Sequence, residues 1–281
     1  MSLSILSDIP ALAAQNALTT NQANMQKTLF QLSTGQRINS GADDAAGLAI
    51  ANGLQANITA LTQTTQNVND GIGQLQVVDG ALGQVTNLLN RAVTLATEAA
   101  NGTETATQQN ALDDEFTSIK NEINNIGGNT NFNGGSVFTA GTTSIFLSDA
   151  SSNYTIGVTA GVLSASNIAG GSGSGLTTVS LTADSLTSAA NAVTALTDIN
   201  SAITNVASNR GAVGATINQL QAASNVVGTQ IQNLTSAESG IMDADIPQVI
   251  GNLNQQSILA QTGISSLAQA NSQQQLVLKL L

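Results

Sequence analysis

Two acidic clusters are the places where this sequence could do chemistry. Asp113-Asp114-Glu115 and Asp243-x-Asp245 bring carboxylates close together. Paired carboxylates can bind a hard cation, or run general acid–base chemistry on a glycosidic or peptide bond. Calcium takes about six or more oxygens from a shaped loop, and no such loop accompanies either cluster. The first cluster reads as the solvated face of a helix. The second reads as a helix start, where acids cap free N–H groups and complement the helix dipole. The chain has no His and no Cys. That excludes an imidazole base, a thiolate nucleophile, a disulfide and the usual zinc ligand sets. No enzymatic role, no cofactor and no metal site is expected.

The elements that carry these residues follow from composition. The 281 residues hold 6 basic and 17 acidic side chains, a net charge of −11. Six scattered basic residues cannot neutralise a run of phosphates, which excludes nucleic acid as a partner. Charged residues make up 8%, about a third of the usual share, and aromatics 2%. Small aliphatic side chains pack best where helices lie side by side. Ile246 to Leu278 carries no charge, yet Gln, Asn or Ser recurs there every few residues, so no membrane insertion is expected. Ala11-Leu12-Ala13-Ala14 resembles a signal-peptidase site, but no Lys or Arg precedes it, and Asp8 and Pro10 interrupt the apolar stretch. A Sec signal is therefore not expected.

Periodicity is the strongest signal. Residues 2–33 carry a stripe at Leu18, Gln22, Met25, Leu29 and Leu32, ended by Ser33-Thr34-Gly35 with Gly35 at the left-handed cap. A second helix starts near Asp43-Asp44. Its stripe is Ile58, Leu61, Thr65, Val68, Ile72, Leu75, Asp79, Leu82, Thr86, Leu89, Val93 and Ala96, and Asn101-Gly102 ends it. Nine of those twelve are apolar, which predicts a long coiled-coil-like helix. A third runs from about Glu104 to Ile126 on Leu112, Phe116, Ile119, Ile123 and Ile126, stopped by Gly127-Gly128-Asn129.

Residues 129–184 change character. Five of the six aromatics lie in 116–154, and Gly, Ser and Thr rise. Ser144–Leu147 and Tyr154–Val158 read as strands around a turn at 149–153, Leu176–Leu181 as another, and Gly170–Gly175 as a flexible loop. Helical spacing resumes near Asp184-Ser185 with Ile199, Ile203, Val206, Arg210, Val213, Ile217, Leu220, Ser224, Val227, Ile231 and Leu234, broken at Ser239-Gly240. Asp243 opens a last helix on Ile246, Ile250, Leu253, Ser257, Ala260, Ile264, Leu267, Asn271, Gln274 and Leu278. Arg210 interrupts its stripe; it either sets register with a carboxylate partner or snorkels outward. The fold expected is mainly α: a long antiparallel coiled-coil-like helical rod, with a small β element at its middle and the terminal helices paired. Those end stripes are narrow and polar-broken, so the ends should become stable only against other copies of the chain.

The residues resemble the bacterial flagellin family. Leu32-Ser33-Thr34-Gly35-Gln36-Arg37-Ile38-Asn39-Ser40 and Asp43-Asp44-Ala45-Ala46-Gly47-Leu48-Ala49-Ile50-Ala51 are similar to its N-terminal signature. Asn69-Asp70-Gly71-Ile72, Ala81-Leu82 and Phe132-Asn133-Gly134 continue it. Ile241-Met242-Asp243-Ala244-Asp245 and Gln261-Thr262-Gly263-Ile264-Ser265-Ser266-Leu267-Ala268-Gln269-Ala270-Asn271 resemble its C-terminal one. The resemblance covers roughly 1–135 and 185–281 and implies a subunit of the flagellar filament, secreted and extracellular, in a minimal form without large outer domains. It implies that 1–41 and 239–281 form the inner tube, and 42–238 the surrounding domain, with the β element at about 130–184. Leu18, Met25, Leu29, Leu32, Ile246, Ile250, Leu253, Ile264, Leu267 and Leu278 are the expected polymer-core residues.

The implied partners are further copies of the chain, an export chaperone on the C-terminal helix, and the filament cap and hook-junction proteins. Export through the flagellar type III apparatus is implied as well. Arg91, Leu95 and Glu115 match family positions contacted by a vertebrate innate immune receptor. The resemblance also makes the Ser/Thr-dense segment 136–188 a target for O-linked glycans. Alternatives are a hook–filament junction protein, which shares both signatures, and a coiled-coil adhesin or signalling rod, which would not explain the β interruption.

Overall fold

The structure, a computed structural model, describes residues 9–148, 154–168 and 178–279. The described chain is mainly α. Its elements are α1 (Ile9–Thr34), α2 (Ala45–Ala99), α3 (Ala106–Asn129), β1 (Asn131–Phe132), β2 (Gly135–Ser136), β3 (Thr143–Phe146), β4 (Thr155–Val158), β5 (Leu163–Ser164), β6 (Asn167–Ile168), α4 (Ala189–Met242) and α5 (Ile246–Lys279). The expected turn at 149–153 and glycine loop at 170–175 lie outside the described residues.

Local chemistry sets the helix ends. Gly35 leaves α1 at φ +71, a conformation that costs a glycine little, and its N–H closes on Gln31 O at 2.9 Å. Asp44 caps α2 by accepting from Gly47 N at 2.9 Å. Thr105 and Gln108 form a capping box at the start of α3. Ser188 caps α4 through Asn191 N at 3.2 Å, so that helix begins later than Asp184-Ser185. Ser239-Gly240 does not break α4, which runs on to Met242.

The expected stop at Gly127-Gly128-Asn129 is where α3 ends, at Asn129. Gly127 is there because nothing larger fits. A Cβ on it would lie 1.8 Å from the carbonyl oxygen of Leu163.

Two compact units emerge: the chain up to Ala56 together with the chain from Gln232, and Asn57–Ile231. In the second unit α2 and α4 are antiparallel: Asp79 meets Arg210, and Gly71 lies near Leu220. The unit's core is assembled from α2, α3, α4 and the hairpins, with Leu75, Leu82, Leu89, Phe116, Ile123, Ile199 and Leu220 fully buried. Burying one such side chain contributes about 1.5–3 kcal/mol.

Three antiparallel two-stranded hairpins make the β element. β1 and β2 turn on Asn133 (φ 49) and Gly134 (φ 78), both left-handed, as a tight hairpin turn demands. β3 and β4 pair from Thr143↔Val158 to Phe146↔Thr155, with Ile145 set into the space that Gly71 leaves on α2. β5 and β6 seat against α3 and α4: Asn124 Oδ1 accepts from Ala165 N at 2.8 Å, and buried Asn205 donates to Ile168 O at 2.9 Å. Of the expected strand at 176–181, residues 176 and 177 lie outside the described residues; the described part makes one bridge, Val179 to Ile168.

The seams run one residue off the expected stripes at every second position. In α2, Leu61, Val68, Leu75, Leu82 and Leu89 are buried as expected, but between them lie Thr64, Gly71, Val78, Val85 and Ala92. Thr65, Ile72, Asp79, Thr86 and Val93 sit beside the seam. In α4, Ala202 and Asn209 take the places expected of Ile203 and Arg210.

Candidate assembly site

The first unit is built on the pairing of α1 with α5. The face that α1 turns to its partner carries Ala11, Ala14, Leu18, Asn21, Met25, Thr28 and Leu32, and that of α5 Ile246, Val249, Leu253, Gln256, Ala260, Gly263 and Leu267. Half of these are small or polar residues, which let two backbones approach, and half are Leu, Met, Ile or Val. Asn21 Nδ2 donates to Gln256 O at 2.8 Å, and Gly263 packs against Leu18. Among the described residues of this unit, only Ile38, Ala51 and Val249 are buried apolar side chains.

The inward seam of this pair shows the same one-residue offset from the stripe. Leu18, Met25, Leu32, Ile246, Leu253 and Leu267 are half-buried on the seam. Leu29, Ile250 and Ile264 are not: they are 47%, 44% and 57% exposed, beside Thr28, Val249 and Gly263, which take the inward positions. The side chain of Leu278 lies outside those described. Ile9, Leu12, Phe30, Ile258 and Leu259 are exposed too. The helix pair therefore carries large apolar side chains on its outside as well as on its seam.

The links that join this pair to α2 and α4 are hydrogen-bonded to each other. Gln36 bridges Asp243, Arg37 N donates to Met242 O at 2.6 Å, and Ala244 N donates to Gly35 O at 2.9 Å. The Arg37 guanidinium reaches Ile241 O from Nη2 at 2.7 Å and Nε at 3.3 Å. Sequence reading placed Arg37 in the N-terminal signature but gave it no role; its signals were that signature and its place in a loop between two helices. Asp43 accepts from Asn39 N, Ser40 N and Ser40 Oγ, and pairs with Lys27 Nζ at 2.7 Å. The Lys27 hydrogen bond, then those of Asn39 and Ser40, hold its carboxyl down at about 2.

The acidic clusters are used structurally. Asp245 caps α5 by accepting from Gln248 N, and Ser239 Oγ bonds Asp243. In the second unit Asp113 accepts from Leu186 N at 2.6 Å. Glu115 takes a two-pronged hydrogen bond from Arg91, at 2.7 and 3.0 Å, which holds its carboxyl below the usual range. Leu95, expected beside them as a contact, is fully buried and presents no surface to a partner. Among the described residues, no helix is long and apolar enough to cross a membrane.

Two family models match the two ends of the chain. Residues 5–143 match the model of the bacterial flagellin N-terminal helical region, and residues 196–281 that of the C-terminal helical region. The flagellin of Halalkalibacterium halodurans is 34% identical over 276 residues, 98% of each chain. That of Bacillus subtilis is 33% identical over 298 aligned positions, again 98% of each. A crystal structure of Bacillus cereus flagellin matches 62% of this chain and 94% of its own, at 33% identity and a TM-score of 0.47. Both terminal regions and the full length of two relatives thus agree, and the chain belongs to the bacterial flagellin family.

Proposed function

We propose that this flagellin, a structural subunit of the extracellular flagellar filament, polymerises through the outward faces of α1 and α5. The observation that carries the reading is the apolar outer face of the helix pair. Its inner seam interleaves Leu18, Met25, Leu32, Ile246, Leu253 and Leu267, which are only half-buried, with small and polar residues, while Leu12, Leu29, Phe30, Ile258 and Ile264 face out. Isolated, such a pair hides little apolar surface; surrounded by copies, it hides much more. In this reading 1–41 and 239–281 form the inner tube, 42–238 surrounds it, and no reaction is catalysed.

An export chaperone would hold α5 by Ile258, Leu259 and Ile264, shielding them until assembly. The filament cap and hook-junction proteins would meet the same faces at the polymer's two ends. An innate immune receptor reading the second unit would meet Arg91 and Glu115 already neutralising each other, without Leu95.

The test is truncation. Chains lacking residues 1–35 or 245–281 keep the melting transition of the second unit and form no filaments after salting. Filaments from both truncations would overturn the reading.

A further inference from the structure

The link clasp contains more contacts than chain connection requires, and they converge on Arg37. α4 ends at Met242, and the last carbonyls of any helix lack partners within it. Arg37 supplies them twice: its backbone N–H takes Met242 O, and its guanidinium takes Ile241 O through two nitrogens. Its cation also sits at the negative end of the α4 dipole. Its own carbonyl accepts from Gln31 Nε2 at 2.8 Å, in the last turns of α1. One residue thus ties the end of α1 to the end of α4, three residues before α5 begins.

We propose that Arg37 is a positioning residue for assembly. It fixes the direction in which α5 leaves α4, and so the pairing of α5 with α1 that presents the outward faces to other copies. This rests on the polymer reading above. A surface charge with no such role would leave pairing and assembly untouched. Lysine would keep the charge and lose the fork.

The geometry offers a direct readout. A Cβ built at Gly263 lies 4.0 Å from Leu18 Cβ, within disulfide range, and the chain has no cysteine of its own. Leu18→Cys with Gly263→Cys should cross-link within one chain when α5 is correctly placed. In the otherwise unchanged chain the disulfide forms readily. In Arg37→Ala it forms about tenfold more slowly, and the critical concentration for filament growth rises about tenfold, the factor that one charged hydrogen bond sustains. Arg37→Lys falls between the two. Should Arg37→Ala fail to fold, Arg37→Lys reads the same two quantities.

Unchanged cross-linking in both variants overturns the proposal. So does slower cross-linking with an unchanged critical concentration, since pairing would then not govern assembly. If the Leu18→Cys, Gly263→Cys chain with Arg37 intact cross-links but the chain without these substitutions never polymerises, the polymer reading fails instead, and the Arg37 variants still report on pairing.

Discussion

Arg210 Nε lies 2.8 Å from Asp79 Oδ1, and Nη2 3.3 Å from Oδ2, across the antiparallel pair α2 and α4. Each side chain is about two-fifths exposed. Both residues lie one position off their seams, so the pair flanks the core instead of entering it. Arg210 therefore leaves the stripe and finds a carboxylate as well. Exposed pairs of this kind contribute about 0.2–1 kcal/mol. Arg210→Met and Asp79→Asn should each lower stability by less than about 1 kcal/mol, and the double variant by little more than either single one. Thermal melts of the four proteins check this.

Neighbouring glycines in α3 should respond in opposite directions. Gly127→Ala drives a Cβ into the Leu163 carbonyl and should cost about 1–3 kcal/mol or more. Gly128→Ala meets nothing within 4 Å and should stabilise by up to about 1 kcal/mol. Denaturant midpoints for the two variants read the contrast.

Two carboxylates give opposite pH dependence. Asp43 is held down at about 2, below its ordinary value. Its contribution is complete above the unfolded value of about 3.9 and is lost as pH falls toward 2. Asp184 is pushed up, by burial first and by neighbouring Asp198 second. Its contribution is present in acid and is lost as pH rises through its folded value. Asp43→Asn should flatten the acid limb of melting temperature against pH; Asp184→Asn should stabilise the protein at neutral pH relative to the unmutated chain.

The outward residues separate folding from assembly. Ile258→Ser and Ile264→Ser remove exposed side chains, so the free chain's melting should move by no more than about 0.5 kcal/mol. Filament growth should need a higher protein concentration. Light scattering beside calorimetry distinguishes the two effects; a large loss of free-chain stability with normal growth would contradict this placement.

Helix order, the long periodic stretches and the pairing of the ends were legible because a repeat of 3 and 4 survives many turns. Which residue fills each alternate seam position was not. Two readings of the same repeat differ there by one residue, and the larger side chain looks the better candidate. Ile72 over Gly71 and Ile264 over Gly263 are examples. Packing decides otherwise: Ile145 needs the space at Gly71, and Leu18 packs against Gly263. Ile72 and Val93 then pack on the flank of the core. The hairpins of two-residue strands are too short to show alternation, and only Asn133-Gly134 announced one. Arg37 was hidden because its partners are backbone carbonyls more than two hundred residues away.

The β element and the helix pair differ in how far along the chain their contacts reach. Asn131 pairs with Ser136 and Leu163 with Ile168, so these two hairpins close over a few residues, and even Thr143 pairs with Val158. Asn21 and Gln256 stand 235 residues apart. Closing so long a loop has an entropy cost that a half-buried seam offsets only weakly, and contacts of high sequence separation form slowly. The middle of the chain should therefore be the first part to reach its native shape, and the two extremities the last.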